Sequence, residues 1–203
     1  VCLWADKIVA HNELYMALVE VGAGLVPAGG GCYQMWRRLS ETVVAPTDWL
    51  SVFLQAFQTI AMPMPSGSAQ EARAKGFLRP QDRIVFNKDY LIGEAKKEVL
   101  RMVEDGYVPP VNLPVKVMGQ DAMGALDANI PDLLAGYRIA PHISTVVRRV
   151  GYIISGGTAF KGEAISEDAM LRLEREMFVD CWKTENTRKM AEHMATKGKP
   201  LFI

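Results

Sequence analysis

The stretch from Glu20 to Gly31 constrains the fold more than any other part of this chain. One ionisable side chain, Glu20, is followed by five glycines and a single proline in an otherwise uncharged run. Pro27 and the glycine cluster predict a loop, after which residues 35–39 begin a helical period. If Glu20 is buried, loss of solvation favours its protonated form and suits it to proton transfer. If it ends a surface strand instead, the glycines form only a turn.

The glycine cluster does not match either of the common nucleotide-binding motifs. Pro27 stands where the dinucleotide fingerprint that starts at Gly22 needs its third glycine. No Gly-Lys-Ser or Gly-Lys-Thr follows the cluster, so the phosphate-binding loop of the nucleotide hydrolases is absent as well. The loop is therefore interpreted as a helix start beside an acidic residue.

Composition predicts a globular protein without a general affinity for nucleic acid. The chain is 49% hydrophobic and 23% charged, and its 23 Lys and Arg balance its 23 Asp and Glu. Three scattered cysteines and three scattered histidines predict reduced thiols, no metal site and a cytoplasmic location. The uncharged run 49–70 contains glutamines and prolines, which favours a buried helix and a turn over a membrane span.

Local patterns predict short strands near residues 8–10 and 82–87 and several helices. In the helix at residues 89–104, the apolar side chains fall on one face and Lys96, Lys97, Glu98 and Arg101 on the other, which we expect to be solvated. Helix caps are predicted at Thr47, Ser68, Ser166 and Thr184. The other predicted helices cover residues 48–62, 69–75, 119–136, 141–155, a segment that follows Ser166, and 185–195.

Two segments of the first half together resemble the crotonase (enoyl-CoA hydratase/isomerase) family. They are Ala5-Asp-Lys-Ile-Val-Ala10 and the run Val19-Glu-Val-Gly-Ala-Gly-Leu-Val-Pro27-Ala-Gly-Gly-Gly31, which place an acid, a proline and a glycine cluster at the family's spacing. Residues 68–78 and residues 173–203 are similar to later helices of the same family. The resemblance implies an α+β, predominantly helical chain that forms the C-terminal portion of a crotonase-like fold, with the N-terminal main sheet missing.

The resemblance also implies a domain organisation. Residues 1–107 are predicted to be a partial crotonase core with the Glu20 motif, residues 108–118 a Pro-rich linker, and residues 119–203 a C-terminal helical region. Because the chain begins at Val1 without a methionine, it is expected to be a fragment. The segment of about residues 108–165 is longer than in most members of the family, and this variation, with the tail Gly198-Lys-Pro-Leu201, is similar to bacterial proteins in which a 3-hydroxyacyl-CoA dehydrogenase precedes a crotonase domain.

By this resemblance, Glu20 corresponds to the second of two glutamates with which the family's hydratases add water to 2-enoyl-CoA in fatty-acid β-oxidation. The first glutamate and the oxyanion-hole glycines correspond to positions before Val1, so the fragment alone is expected to be inactive. Val19 replaces the usual proline and leaves the substrate class open. The predicted substrate-binding residues are Gly22, Pro27, Gly29, Gly30, Lys197, Lys199 and Phe202.

The resemblance implies a coenzyme A thioester as substrate and NAD in an upstream dehydrogenase domain, with no cofactor in this fragment. It also implies a homo-oligomer, or packing against that upstream domain, and neither a nucleic-acid partner nor a membrane span. Two alternatives stay open. The protein could be an enoyl-CoA isomerase that works with one main carboxylate, or its C-terminal region could be a non-catalytic oligomerisation or assembly element.

Overall fold

A computed structural model describes residues 1–45, 48–62, 64–136 and 139–203. Helix makes up 57% of it and strand 5%, which confirms the prediction of a predominantly helical chain with little sheet. The chain divides into two compact units, which are described separately. The first contains Val1–Ala17 and Pro65–Asn112, and the second contains Leu18–Met64 and Leu113–Ile203. The predicted domains 1–107, 108–118 and 119–203 are consecutive segments, whereas each compact unit combines two separate segments of the chain. The predicted domain division stays a prediction.

The first unit is built on two parallel strands and one long helix. Strand β1 (Val9–His11) pairs with β2 (Arg83–Val85), with Ala10 opposite Ile84. Between them in sequence lies helix α3 (Ala69–Ala74), whose predicted cap is confirmed because the Ser68 side chain accepts the N–H of Glu71. Helix α4 (Leu91–Glu104) follows a single 3-10 turn at Lys88–Tyr90.

The prediction for α4 is confirmed for Lys96, Lys97 and Arg101, which are exposed, and it is wrong for Glu98 and for the apolar face. Glu98, expected in solvent, is only 3% exposed, whereas Ile92 is 83% and Val103 68% exposed. The reason is electrostatic, since Oε1 of Glu98 forms a salt bridge with Lys7, and Oε2 lies 2.7 Å from Arg101 and 3.7 Å from Arg83. These ion pairs direct the acidic face of α4 towards the strands and leave its apolar face exposed.

The second unit is a helical bundle with a small antiparallel pair of strands. Its helices are α1 (Gly31–Ser40), α2 (Trp49–Ala61), α5 (Gln120–Ala135), α6 (Pro141–Ile154), α7 (Glu167–Trp182) and α8 (Glu185–Lys197). Strands β3 (Val115–Lys116) and β4 (Ala164–Ile165) pair antiparallel. The predicted cap of α2, Thr47, lies outside the described residues.

Helix α6 is central to the core of the second unit because α1, α2, α5 and α7 all pack against it. Its apolar stripe is fully buried, as periodicity at 3.6 residues requires of a central helix. The buried members of the stripe are Val146, Val147, Val150, Ile153 and Ile154.

The last two helices begin and end where local chemistry predicts. Ser166 caps α7 through the N–H of Ala169, and Thr184 caps α8 through the N–H of Thr187. Gly198 ends α8 in the left-handed conformation. After α8 the chain turns back, since the N–H of His142 at the start of α6 donates to the carbonyl of Ile203.

Candidate functional site

Glu20 begins a single 3-10 turn, Glu20–Ala23, which we call the Glu20 turn. The turn is closed by the N–H of Leu25, which donates to the Glu20 carbonyl at 3.0 Å. The Glu20 side chain is half-buried, and its Oε2 is buried with no hydrogen-bond partner among the described residues. A buried carboxylate oxygen almost always has a donor. This one is therefore available to a ligand or to water.

The predicted loop after Glu20 forms the start of α1. Gly30 is the N-cap, with a φ of 87°, a conformation that glycine adopts without strain. A Cβ on Gly31 would lie 2.6 Å from the Cβ of Pro27, so a larger residue cannot fit there. Glycine at position 31 thus allows the first residue of α1 to lie close to Pro27.

A second carboxylate, Glu174 of α7, fills the N-terminus of α1. Its side chain is 0% exposed. Oε2 accepts the N–H of Gly30 and Oε1 accepts the N–H of Tyr33, both at 2.7 Å. Burial raises the pKa of Glu174 to about 7, the negative charge of Glu20 acts in the same direction, and the backbone donors oppose both.

Cys32, in the first turn of α1, lies within the field of both carboxylates. The thiol is fully buried, and burial raises its pKa well above the ordinary value, with Glu174 and then Glu20 raising it further. A thiol with a raised pKa stays protonated and is a poor nucleophile. Cys32 is therefore not a candidate nucleophile.

An apolar pocket of about 270 Å³ lies against the Glu20 turn. Val21 and Gly22 of the turn form part of its wall, and Phe202 of the C-terminal segment forms another part. The rest of the wall is uncharged and consists of Ala61, Met62, Met64, Ile139, Ala140, Ile143, Met190, Pro200 and Leu201. Such a pocket suits the hydrocarbon part of a ligand.

The structure brings some of the predicted site residues together. Gly22 and Phe202 line the pocket, Glu20 begins the turn that contains Gly22, and Pro27, Gly29 and Gly30 are in the turn before α1. The N–H of Gly30, however, is already donated to Glu174. Lys197 ends α8 and Lys199 follows it, and both are exposed. Neither lysine is part of the pocket wall.

Sequence reasoning missed Glu174, although the pattern contained a signal for it. Met170, Met177 and Cys181 mark the inward face of α7 at helical spacing, and Glu174 falls on the same face. A charged residue within a buried stripe needs a partner. Its partner lies 144 residues earlier in the chain, which no local pattern could indicate.

The described residues contain neither a metal-binding cluster nor a membrane-spanning helix. No three His, Cys, Asp or Glu side chains there are grouped as a metal ion would require. Within the same residues, no helix combines the length and the apolar character needed to cross a bilayer. All three cysteines are free.

Comparison with known proteins relates this chain to part of one larger enzyme. It is 36% identical over 201 residues to the probable 3-hydroxyacyl-CoA dehydrogenase of Bacillus subtilis (strain 168). The alignment covers 98% of this chain but 25% of that protein, so the chain spans about a quarter of its relative's length. No family model matches the chain. The chain is thus homologous to a segment of a protein named as a probable 3-hydroxyacyl-CoA dehydrogenase.

Proposed function

We propose that this chain is a crotonase-like part of a fatty-acid β-oxidation protein and that Glu20 transfers a proton during the hydration of 2-enoyl-CoA. The observation that carries the proposal is the buried Oε2 of Glu20, which has no hydrogen-bond partner among the described residues and belongs to a turn whose next two residues line an apolar pocket. Homology to a segment of an acyl-CoA enzyme supports the substrate class.

The chemistry needs a base with one free oxygen. In hydration, the oxygen of water bonds to the β-carbon of the enoyl thioester, and a proton is added at the α-carbon. Glu20 would take the proton from water or supply the one for the α-carbon, together with a second group outside these residues. A positioned carboxylate in this role contributes about 10²- to 10⁴-fold to the rate.

The binding residues divide into two groups. Gly22 and Phe202 line the apolar pocket, where the hydrocarbon part of the substrate would bind. Lys197 and Lys199 are exposed cations that could meet the phosphates of coenzyme A. Because Gly30 already donates its N–H to Glu174, we assign Pro27, Gly29 and Gly30 the role of shaping the turn near the substrate.

The glycine-rich turn of this chain does not fit NAD, the cofactor that the relative's name implies. A dinucleotide needs the N-terminus of the following helix for its pyrophosphate. Here the carboxylate of Glu174 occupies the Gly30 and Tyr33 N–H groups. We therefore propose that NAD binds to a separate dehydrogenase domain of the same polypeptide. We propose that the polypeptide is cytoplasmic. We also propose that this chain packs against the dehydrogenase domain or associates with a second copy of itself.

The decisive experiment compares Glu20→Gln with wild type in the natural polypeptide that contains these 203 residues. Hydration of a 2-enoyl-CoA is expected to fall at least 100-fold in kcat, because glutamine cannot exchange the proton. The matched control is Glu192→Gln, an exposed glutamate of α8, which should retain wild-type kcat. The isolated 203-residue chain is expected to be inactive.

Other outcomes distinguish the alternatives. Conversion of 3-enoyl-CoA to 2-enoyl-CoA that depends on Glu20, without hydration, would identify an isomerase. Equal activity of Glu20→Gln and wild type would remove Glu20 from catalysis. Self-association of the inactive chain would then favour an assembly role.

A further inference from the structure

A chain of hydrogen bonds connects helix α8 to the Glu20 turn. Thr187 of α8 is fully buried, and its hydroxyl donates to the carbonyl of Gly24 at 2.9 Å. Gly24 ends the turn, and its carbonyl belongs to the same planar peptide group as the N–H of Leu25. That N–H donates to the Glu20 carbonyl at 3.0 Å. Thr187 therefore binds one side of the peptide group whose other side binds Glu20.

His142 of α6 extends this chain by one more bond. Its Nε2 lies 2.9 Å from the hydroxyl oxygen of Thr187. Because a hydroxyl has one proton and a carbonyl can only accept, the Thr187 proton goes to Gly24 and Nε2 donates its own proton to Thr187. The backbone N–H of His142 also donates to the carbonyl of Ile203 at 3.1 Å. One residue of α6 thus binds both α8 and the C-terminal segment, whose residues 200–202 line the pocket.

The close approach of α8 to the turn depends on glycine. Gly24 has a φ of 76°, which favours glycine over residues with a Cβ. A Cβ at this position would lie 3.1 Å from Sδ of Met190 and 3.3 Å from Cα of Thr187. Met190 is itself part of the pocket wall. The turn, α8 and the pocket therefore meet where the Thr187 hydroxyl is buried.

We propose that Thr187 is a positioning residue for Glu20, which acts through the Gly24–Leu25 peptide group and is itself held by the hydrogen bond from His142. This inference rests on the proposed function, in which Glu20 transfers a proton. Thr187 is not part of the pocket wall, and its hydroxyl is engaged on both sides. It fixes the backbone from which the Glu20 side chain extends. Hydrogen bonds in such a chain polarise and strengthen one another, so the loss of one weakens the next.

A purely structural role of Thr187 would give a different result from a positioning role. If Thr187 only attached α8 to the bundle, its loss would destabilise the core helix α6 and the Glu20 turn to the same extent. If it positions the turn, its loss opens the turn locally while the core stays closed. In that case the folded enzyme also loses rate, because a small displacement of a catalytic group lowers kcat.

The first test measures the turn without any enzyme assay. Hydrogen exchange followed by mass spectrometry compares wild type with Thr187→Val in the natural polypeptide that contains these 203 residues. Valine keeps the shape of the side chain and the backbone N–H that donates to Thr184, and it lacks the hydroxyl. Exchange in residues 20–26 should be about 10-fold faster, the factor for a typical hydrogen bond, and exchange in residues 146–154 of α6 should not change. Unchanged exchange in the turn, or equal acceleration in both segments, would overturn the proposal.

Two further variants control this comparison. Thr187→Ser restores the hydroxyl and should return the turn to the wild-type rate. Thr196→Val removes an exposed hydroxyl of the same helix, which donates to the carbonyl of Glu192 at 2.8 Å, and should leave the turn unaffected.

A variant at the other end of the chain serves if Thr187→Val fails to fold. His142→Phe removes the donor to Thr187 and keeps the bond from Thr187 to Gly24. It should accelerate exchange in residues 20–26 by a smaller factor, because the remaining bond is weakened and not lost. No acceleration there would refute the proposal.

The second test measures enoyl-CoA hydration by the same polypeptide, well below its unfolding temperature. In Thr187→Val, kcat should fall by about 10- to 100-fold, recover in Thr187→Ser and stay at the wild-type value in Thr196→Val. A wild-type kcat in Thr187→Val, together with faster exchange in the turn, would overturn the positioning role. If wild type hydrates no enoyl-CoA, the proposed function fails, whereas hydrogen exchange still decides whether Thr187 fixes the turn.

Discussion

Glu98 in the first unit and Glu174 in the second are both almost completely removed from solvent, but they are compensated in different ways. Glu98 is 3% exposed and meets the cations of Lys7, Arg83 and Arg101. Glu174 is 0% exposed and meets two backbone N–H groups and the field of another carboxylate. The pKa of Glu98 is lowered, mainly by the hydrogen bond from Lys7, whereas burial raises the pKa of Glu174 to about 7.

The difference shows that burial alone does not determine the charge of a carboxyl group. Cations that accompany a carboxylate into a protein favour its ionised form, and desolvation without cations favours the neutral form. Ion-paired carboxylates such as Glu98 are typical of structural networks. A carboxyl group poised near neutral pH is more typical of functional sites.

The largest expected effect on stability comes from removing the Glu174 carboxyl group. Glu174→Ala leaves the N–H groups of Gly30 and Tyr33 without an acceptor, and a cavity in place of the side chain. Each unsatisfied buried donor costs about 1–3 kcal/mol, so unfolding free energy should fall by about 3–5 kcal/mol. Urea denaturation measures the change. Glu176→Ala, on the exposed face of α7, should stay within about 0.5 kcal/mol of wild type. A similarly small change in Glu174→Ala would show that the two hydrogen bonds contribute little.

The pH dependence of stability should have opposite signs for the two carboxyl groups. The folded-state pKa of Glu174 is raised from 4.5 to about 7, so its stabilising contribution is fully present below pH 4.5 and lost as the pH rises to about 7. The loss amounts to roughly 3 kcal/mol, since one pKa unit corresponds to about 1.4 kcal/mol. The folded-state pKa of Glu98 is lowered, so its contribution is present above pH 4.5 and lost as the pH falls through that lowered value.

Urea denaturation of wild type and Glu174→Gln between pH 4.5 and 7 tests the prediction for Glu174. The difference in unfolding free energy between the two proteins should change by roughly 3 kcal/mol across this interval. A constant difference would mean that Glu174 does not titrate there.

Local signals predicted the ends of the helices well, and they could not predict either buried carboxylate. The caps at Ser68, Ser166 and Thr184 depend on residues three positions away, so the sequence contains both partners within one turn. Glu174 and Gly30 are 144 residues apart. Periodicity divides a helix into two faces, but which face is buried depends on residues elsewhere in the chain.

The candidate site was predictable only where its residues lie close together in the sequence. Glu20 and the glycine cluster are contiguous in sequence, so their chemistry could be recognised together. The wall of the apolar pocket combines the Glu20 turn with Phe202, and helical spacing within either segment gives no information on that contact. Contacts of this kind become visible only in the folded chain.

Replacing Glu98 should weaken the first unit at neutral pH and have no effect in acid. Glu98→Gln leaves Lys7, Arg83 and Arg101 close together without a carboxylate, so the melting temperature at pH 7 should fall. At an acidic pH below the lowered pKa of Glu98, the wild-type carboxyl group is itself protonated, and the difference should vanish. Thermal unfolding followed by circular dichroism at pH 7 and at such an acidic pH tests this. Glu104→Gln, at the exposed end of α4, is the control. A deficit of equal size at both values would point to packing as its cause.

The smallest effect is expected from the apolar face of α4. Ile92 is 83% exposed, and Ile153 of α6 is 0% exposed, although both lie on the apolar face of an amphipathic helix. Ile153→Ala should cost about 2–5 kcal/mol, because it removes buried methyl groups and leaves a cavity. Ile92→Ala should change unfolding free energy by less than about 0.5 kcal/mol. Urea denaturation of the two variants compares them directly. If Ile92→Ala were as costly as Ile153→Ala, the apolar face of α4 would have to be buried in solution, and the ion pairs of Glu98 could not explain the orientation of the helix.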